Sequence, residues 1–390
     1  METIQSLMNS RSAAQQPDWA GSLHLPEVRR ELAGRPSLTR VEDIDRLREI
    51  LARVATREYR VIIAGDCAED PEECSESDVH GKTALVETLA GVIKMNTGRP
   101  VVRVGRIGGQ FTKPRSKGTE KVGDLELPVY RGHMVNAPEP DPGMRAPDPR
   151  RMLSCYASAQ KIFSRLWSEP SRGSITTDGH VWTAHEALLL DYEVPMLRTS
   201  SDGRFYLGST HWPWIGDRTR DPKGAHTALL ARVVNPVACK VGPSTTTHEL
   251  LELCERLDPE REPGRLTLTA RMGEAHPPSH LAELVTAVRE AGHPVIWVTD
   301  PMHGNTVKTS DGFKTRYVDS IVREVRGFQE TVTAAGGVAA GMHLETTPEN
   351  VTECVADASQ EFLVGEKYTS LCDPRLNSEQ ALEVASAWYR

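Results

Sequence analysis

Eight short apolar runs, each ending at a polar or charged residue, constrain this chain more than any other feature. The runs are 59–64, 101–104, 181–183, 205–207, 237–239, 266–270, 294–298 and 338–342. They are rich in β-branched residues and do not alternate apolar with polar, as expected of parallel strands buried on both faces. Residues 246–257, 279–291 and 317–330 repeat apolar side chains every three or four positions, as do 41–54 ahead of the first run. Eight such units favour a closed barrel over an open sheet. No GxGxxG loop follows the first run, which weakens a dinucleotide-binding alternative. The expected fold is α/β, a single (β/α)8 TIM barrel over residues 58–390, preceded by an N-terminal arm and helix over 1–57. Length alone, 390 residues, would also suit two or three domains of about 150 residues each. The Pro- and Gly-rich stretch 114–150 reads as an excursion between the second and third strands.

Charge limits what the chain can bind. Lys and Arg number 46 and Asp and Glu 54, giving a net charge of −8. Such a chain does not coat nucleic acid or an anionic membrane by bulk charge. An anionic ligand must meet a local basic cluster. No run is long enough for a membrane helix, and the first residues lack the pattern of a secretory signal, so a cytoplasmic address is expected. Seven scattered cysteines form no CxxC pair and do not read as a disulfide framework.

The chemistry collects where the runs end. In a barrel, residues after the strand C-termini meet at one mouth. Here those residues are Cys67, Arg106, Lys240, Arg271, His303 and Glu345. A charged group directly after a buried strand is costly unless it faces a polar site. Cys67, His303 and Glu345, with Asp373 as a further carboxylate, are candidate metal ligands. A thiolate, an imidazole and carboxylates suit Mn²⁺, Fe²⁺, Co²⁺ or Zn²⁺ rather than an all-oxygen Mg²⁺ site. Arg106, Lys113, Arg115, Lys240, Arg271 and Arg218 are candidate anion binders, enough for two phosphorylated substrates.

The motifs around these positions resemble the class II family of 3-deoxy-D-arabino-heptulosonate 7-phosphate (DAHP) synthases. They include Gly65-Asp66-Cys67-Ala68-Glu69, Gly105-Arg106-Ile107-Gly108-Gly109-Gln110, Lys113-Pro114-Arg115-Ser116 and His211-Trp212-Pro213-Trp214-Ile215-Gly216-Asp217-Arg218. Further along come Cys239-Lys240-Val241-Gly242-Pro243, Arg271-Met272-Gly273, Asp300-Pro301-Met302-His303-Gly304-Asn305, His343-Leu344-Glu345 and Cys372-Asp373-Pro374-Arg375. The resemblance runs from about Gly65 to Asn377, and the short form looks most like the phenazine-pathway members. It implies a metal-dependent condensation of phosphoenolpyruvate with erythrose 4-phosphate, the first step of the shikimate pathway, here feeding secondary metabolism. It implies a divalent ion, Mn²⁺ or Co²⁺, held by Cys67, His303, Glu345 and Asp373. It implies phosphoenolpyruvate on Arg106, Lys240 and Arg271, helped by Asp217 and Arg218, and erythrose 4-phosphate facing Lys113, Arg115 and Ser116. Lys113 is the candidate proton donor. Asp217 stands where the family usually has Glu, so its contact is expected to a water or a basic neighbour.

Two other readings share these residues: an amino-DAHP synthase acting on an imino or amino tetrose phosphate, and a catalytically silent scaffold for a pathway partner. The intact ligand and cation sets disfavour the scaffold. Cys372 is expected near Cys67, able to form a disulfide with it in the metal-free protein. His276 reads as loop, His185-Glu186 as a pair behind the site, Trp212 and Trp214 as its lining, and Arg145–Arg151 as a solvated charged face. Residues 113–217 leave little room for an added helical pair, so feedback by Phe, Tyr or Trp is expected to be weak or absent. A homo-oligomer is expected, with the N-terminal arm as its candidate contact.

Overall fold

The computed structural model describes residues 10–19, 22–167 and 180–389. Eight parallel strands close into one barrel. They are β1 (Arg60–Gly65), β2 (Val101–Arg106), β3 (Val181–Glu186), β4 (Trp212–Ile215), β5 (Val237–Val241), β6 (Leu266–Ala270), β7 (Ile296–Thr299) and β8 (Val338–Glu345). Each pairs with its neighbours in sequence, and β8 closes on β1. The register places Gly65 opposite both Arg106 and Glu345, so these two side chains leave the barrel at one level.

The helices are α1 (Leu25–Gly34), α2 (Val41–Ala55), α3 (Glu76–Thr97), α4 (Arg151–Leu166), α5 (Ala225–Leu230), α6 (Thr247–Leu257), α7 (Pro278–Glu290), α8 (Val318–Ala334) and α9 (Ser378–Ser386). Ser75 and Asp78 form a capping box that starts α3, and Asn377 and Gln380 do the same for α9. Period-two alternation sorts the strand residues. Val61, Ile63, Val102, Val104, Trp182, Ala184, Ile296 and Val298 fill the barrel interior. Ile62, Ala64, Val241 and Leu268 face the surrounding helices. The apolar stripe of α2, Leu47, Ile50, Leu51 and Val54, joins the interior cluster and plugs the end of the barrel opposite the mouth.

Seven of the eight expected runs are barrel strands, and the fourth needs correction. Phe205–Leu207 pairs antiparallel with Leu197–Thr199 in a small surface ribbon. The barrel strand is Trp212–Ile215, which bonds β3 on one side and β5 on the other. Burial explains the difference. All four residues of Trp212–Ile215 are buried, whereas Phe205 is exposed. Pro213, which lacks an N–H to donate, disguises this strand in the sequence.

The excursion between β2 and β3 carries a hairpin, Thr119–Val122 with Leu125–Pro128, and one helical turn, Pro142–Arg145. Arg145 corrects the solvated-face reading. It is buried, and its guanidinium binds Glu120 and the carbonyls of Pro128, Pro138 and Glu139. The described arm residues pack on their own chain. Ser12 O accepts from Ala225 N at 2.9 Å, Gln16 Nε2 donates to Leu188 O at 2.8 Å, and Trp19 Nε1 donates to Asp191 at 2.6 Å.

Candidate active site at the barrel mouth

A cavity of about 560 Å³ opens at the C-terminal end of the strands. Ten of the twelve residues singled out from the sequence line it: Arg106, Lys113, Arg115, Ser116, Asp217, Arg218, Lys240, Arg271, His303 and Asp373. The other two, Cys67 and Glu345, are fully buried beside it and bond to Lys113.

The thiol of Cys67 and carboxylate oxygens of Glu345 and Asp373 all lie within 4.8 Å of one another. His303 Nε2 comes within 3.3 Å of Glu345 Oε1. The Lys113 ammonium stands among these donors, 2.9 Å from Cys67 Sγ, 3.1 Å from Glu345 Oε1 and 2.9 Å from Asp373 Oδ2. A nest of one sulfur and two carboxylates that draws a cation to its centre, with the His303 imidazole at its edge against Glu345, suits a divalent transition ion. Burial opposes ionisation of Glu345, but His303, Lys113 and Arg316 outweigh it and hold its pKa well below the ordinary value. Burial likewise opposes the Lys113 charge, yet the carboxylates of Asp373 and Glu345 raise its pKa well above the usual lysine range. Burial, the hydrogen bond with Cys372 and the nearby Glu345 push the Cys67 thiol up.

Local structure explains how these groups arrive. Glu69, just past β1, accepts backbone N–H groups from Gly108, Gly109 and Gln110 at 2.6–2.8 Å. That grip turns the chain after β2 and leads it to Lys113. Arg106, the last residue of β2, donates to Cys67 O at 2.9 Å and shares a hydrogen bond with His343 Nε2 at 3.0 Å. Asp217 bridges two basic neighbours, Arg271 at 2.8 Å and Arg220 at 3.0 Å. Arg218 donates to Ser116 Oγ at 2.8 Å across the mouth. Arg115 pairs with Glu120 at 3.0 Å, and its backbone N–H donates to Gln15 of the arm at 2.9 Å.

Several functional groups were not among the expected site residues. Asp300, fully buried after β7, forms an ion pair with Lys240 and holds His303 Nδ1 at 2.7 Å. A carboxylate behind an imidazole fixes its tautomer and leaves Nε2 free for a ligand. Its position three residues before His303 was the signal. Burial lowers the Lys240 pKa even so. Arg316, also fully buried, takes the second oxygen of Glu345 at 2.8 Å. It follows the two-residue pairing of Val307–Lys308 with Lys314–Thr315 rather than a barrel strand, so nothing in the chain marked it. Lys314 binds Asp373 at 2.8 Å and, with Lys308, lines the cavity.

The His185-Glu186 pair divides. His185 lies behind the site, bonded to Glu193 at 2.8 Å, while Glu186 lines the cavity. Burial pushes the Glu186 carboxyl up, and its Oε1 accepts no hydrogen bond among the described residues. Trp214 lines the cavity, with Arg106 and Lys240 over its ring at 5.4 and 5.7 Å. Trp212 packs one layer deeper and is not part of that lining. His276 is an exposed loop residue, as expected.

Cys372 does sit against Cys67, the two sharing a small cluster with Tyr130. Metal-free protein treated with a thiol oxidant should therefore yield a 67–372 crosslink in peptide mass spectrometry. Metal-loaded protein should resist it, since its thiolate is committed. No crosslink in the metal-free sample would refute this.

The chain is similar to known proteins along almost its whole length. The class-II DAHP synthetase family matches residues 3–174 and 167–388. A probable phospho-2-dehydro-3-deoxyheptonate aldolase of Pseudomonas fluorescens is 53% identical over 389 residues, covering 100% of this chain and 97% of that protein. Phospho-2-dehydro-3-deoxyheptonate aldolases of Streptomyces coelicolor and Mycolicibacterium smegmatis are each 37% identical across 96% of this chain, covering 94% and 92% of those proteins. The solved phospho-2-dehydro-3-deoxyheptonate aldolase of Francisella tularensis shares the fold, with a TM-score of 0.56 and 13% identity over 94% of this chain and 97% of that one.

Proposed function

This chain belongs to the class-II DAHP synthetase family, and from that membership we propose that it condenses phosphoenolpyruvate with erythrose 4-phosphate, giving DAHP and phosphate. The observation that carries the reading is the single cavity at the barrel mouth. It brings a thiol, an imidazole and two carboxylates against a ring of lysines and arginines contributed by five different strand ends.

Cys67, His303, Glu345 and Asp373 would hold the divalent ion, Mn²⁺ or Co²⁺. When bound, that ion supplies Lewis acidity to the tetrose aldehyde. Lys240, Arg271 and Arg106, with the Asp217-Arg218 pair, hold the phosphate and carboxylate of phosphoenolpyruvate. Arg forks suit both groups, and Lys adds a point charge. Lys113, Arg115 and Ser116 face the tetrose phosphate. Fixing both substrates in register supplies part of the barrier reduction as prepaid entropy. C3 of phosphoenolpyruvate bonds to the aldehyde carbon, water adds at C2, and the hemiketal phosphate then loses inorganic phosphate. Glu186, which lines the cavity with an Oε1 unpartnered among the described residues, would take the proton of that water, and Lys113 Nζ would protonate the oxygen of the former aldehyde. The same reading keeps residues 58–390 as the catalytic barrel and 1–57 as its arm, in a soluble homo-oligomer. Among the described residues no helix is long and apolar enough to cross a membrane.

The test is the loss of phosphoenolpyruvate absorbance on adding erythrose 4-phosphate. It should occur with Mn²⁺ or Co²⁺, vanish on chelation and return on metal addition. No tetrose-dependent loss with any metal would overturn the function. Feedback is expected to be weak or absent. Between Lys113 and Asp217 the described residues form the barrel strands β3 and β4, two hairpins, α4 and single helical turns, and 168–179 lie outside the described residues. Phe, Tyr and Trp at micromolar concentration should leave the initial rate unchanged, and inhibition by any one of them would refute this.

A further inference from the structure

We propose that Glu324, on the outer helix α8, is a positioning residue that keeps the Arg271 loop and the His303 loop in one register. The inference rests on the functional reading above, in which Arg271 meets phosphoenolpyruvate and His303 the metal.

Glu324 is buried outside the barrel wall, away from the cavity that holds the site. Its two oxygens serve two different loops. Oε1 accepts the backbone N–H of Gly273 at 3.0 Å, two residues after Arg271. Oε2 accepts Nδ2 of Asn305 at 2.6 Å, two residues after His303. Asn305 extends the tie. Its Nδ2 also donates to Pro301 O at 2.7 Å, and its Oδ1 accepts Glu274 N at 3.0 Å. Three of these hydrogen bonds tie Gly273 and Glu274 to Asn305, one link bridged by Glu324 and one direct, and the fourth holds Asn305 to Pro301 within its own loop.

The backbones between the stitches touch. A Cβ added at Gly304 would lie 2.4 Å from both Gly273 N and Cα, and Gly273 itself has φ +86°. On the cavity side, Arg271 reaches His303 O at 3.5 Å. A shift of either loop must therefore move both a phosphoenolpyruvate cation and a metal ligand.

The chemistry of the side chain supports a role beyond packing. Burial raises the Glu324 pKa to about 7. An apolar side chain would fill this space without that cost. What the carboxylate offers is acceptors only, facing two N–H donors that belong to two loops.

Glu324→Gln keeps the shape but turns one acceptor into a donor, so one loop loses its partner. Calorimetric titrations of the full chain read the result. Mn²⁺ binding to metal-free protein and phosphoenolpyruvate binding to Mn²⁺-loaded protein should each weaken by about 10-fold, the scale seen for partners that orient ligands. The KM for erythrose 4-phosphate should stay within about twofold, because Lys113, Arg115 and Ser116 stand on another loop.

Unchanged Mn²⁺ and phosphoenolpyruvate affinities in Glu324→Gln would overturn the proposal. So would an equal weakening for all three ligands with a lowered melting temperature, which marks general destabilisation. If the Gln variant does not fold, Asn305→Ala read by the same titrations decides, with the same selective pattern expected and no change overturning. Failure of the wild-type protein to bind Mn²⁺ or phosphoenolpyruvate would instead overturn the functional reading.

Discussion

Cys67→Ser should bind Mn²⁺ too weakly to survive desalting and should lose about 10²–10³-fold in kcat/KM, as expected when one member of a buried charged cluster is removed. Cys67 is fully buried, and burial together with Cys372 and Glu345 holds its thiol protonated in the metal-free protein. Metal binding must therefore expel that proton. Mn²⁺ affinity of the wild-type protein should fall about tenfold for each unit by which pH is lowered, over the range in which only this proton is released. The serine variant, which has no thiol to ionise, should lose that slope. Metal content by elemental analysis and affinity between pH 6 and 8 check both parts. A wild-type affinity independent of pH would remove Cys67 from the ligand set.

Lys113→Met should lower kcat by about 10²–10⁴-fold, the usual contribution of a positioned general acid, while the metal still binds. Lys113 touches three of the four proposed ligands but is not one of them. Its removal leaves Glu345 and Asp373 without their shared cation. Metal-free Lys113→Met should be less stable than metal-free wild type by roughly 3–5 kcal/mol, and Mn²⁺ should restore much of that difference. Thermal melts with and without Mn²⁺, beside steady-state kinetics, separate the effects. If kcat is kept and only the KM for erythrose 4-phosphate rises, Lys113 is a phosphate contact and not the proton donor.

The barrel was legible because burial on both faces leaves an unmistakable trace, a run of β-branched residues with no polar alternation. The same logic failed at the fourth strand. Trp212-Pro213-Trp214-Ile215 contains a proline, while Phe205–Leu207 looks equally apolar and makes only a surface ribbon. Neighbouring strands, not local pattern, decide which segment enters the barrel. Site residues at strand ends were legible for a related reason, since a charge after a buried strand needs a polar destination. Asp300 could have been found by its spacing from His303. Arg316 and Glu324 could not. One follows a two-residue pairing and the other sits mid-helix on α8, where a carboxylate ordinarily faces water.

The sequence by itself determined the repeating βα plan, the side chains available for metal and phosphate, and a net charge of −8 that confines anion binding to one local cluster. These follow from periodicity and composition, which are properties of the chain. Only the tertiary structure decided which charges compensate which. Closure of β8 on β1 brings Glu345 level with Arg106. The turn held by Glu69 carries Lys113 into the thiol–carboxylate nest, and the packing of α8 sets Glu324 beneath two loops at once. Such pairings join residues as many as 309 positions apart, as between Asp66 and Arg375. Coulomb energy depends on distance through space and on burial, and neither is written in the order of residues along the chain.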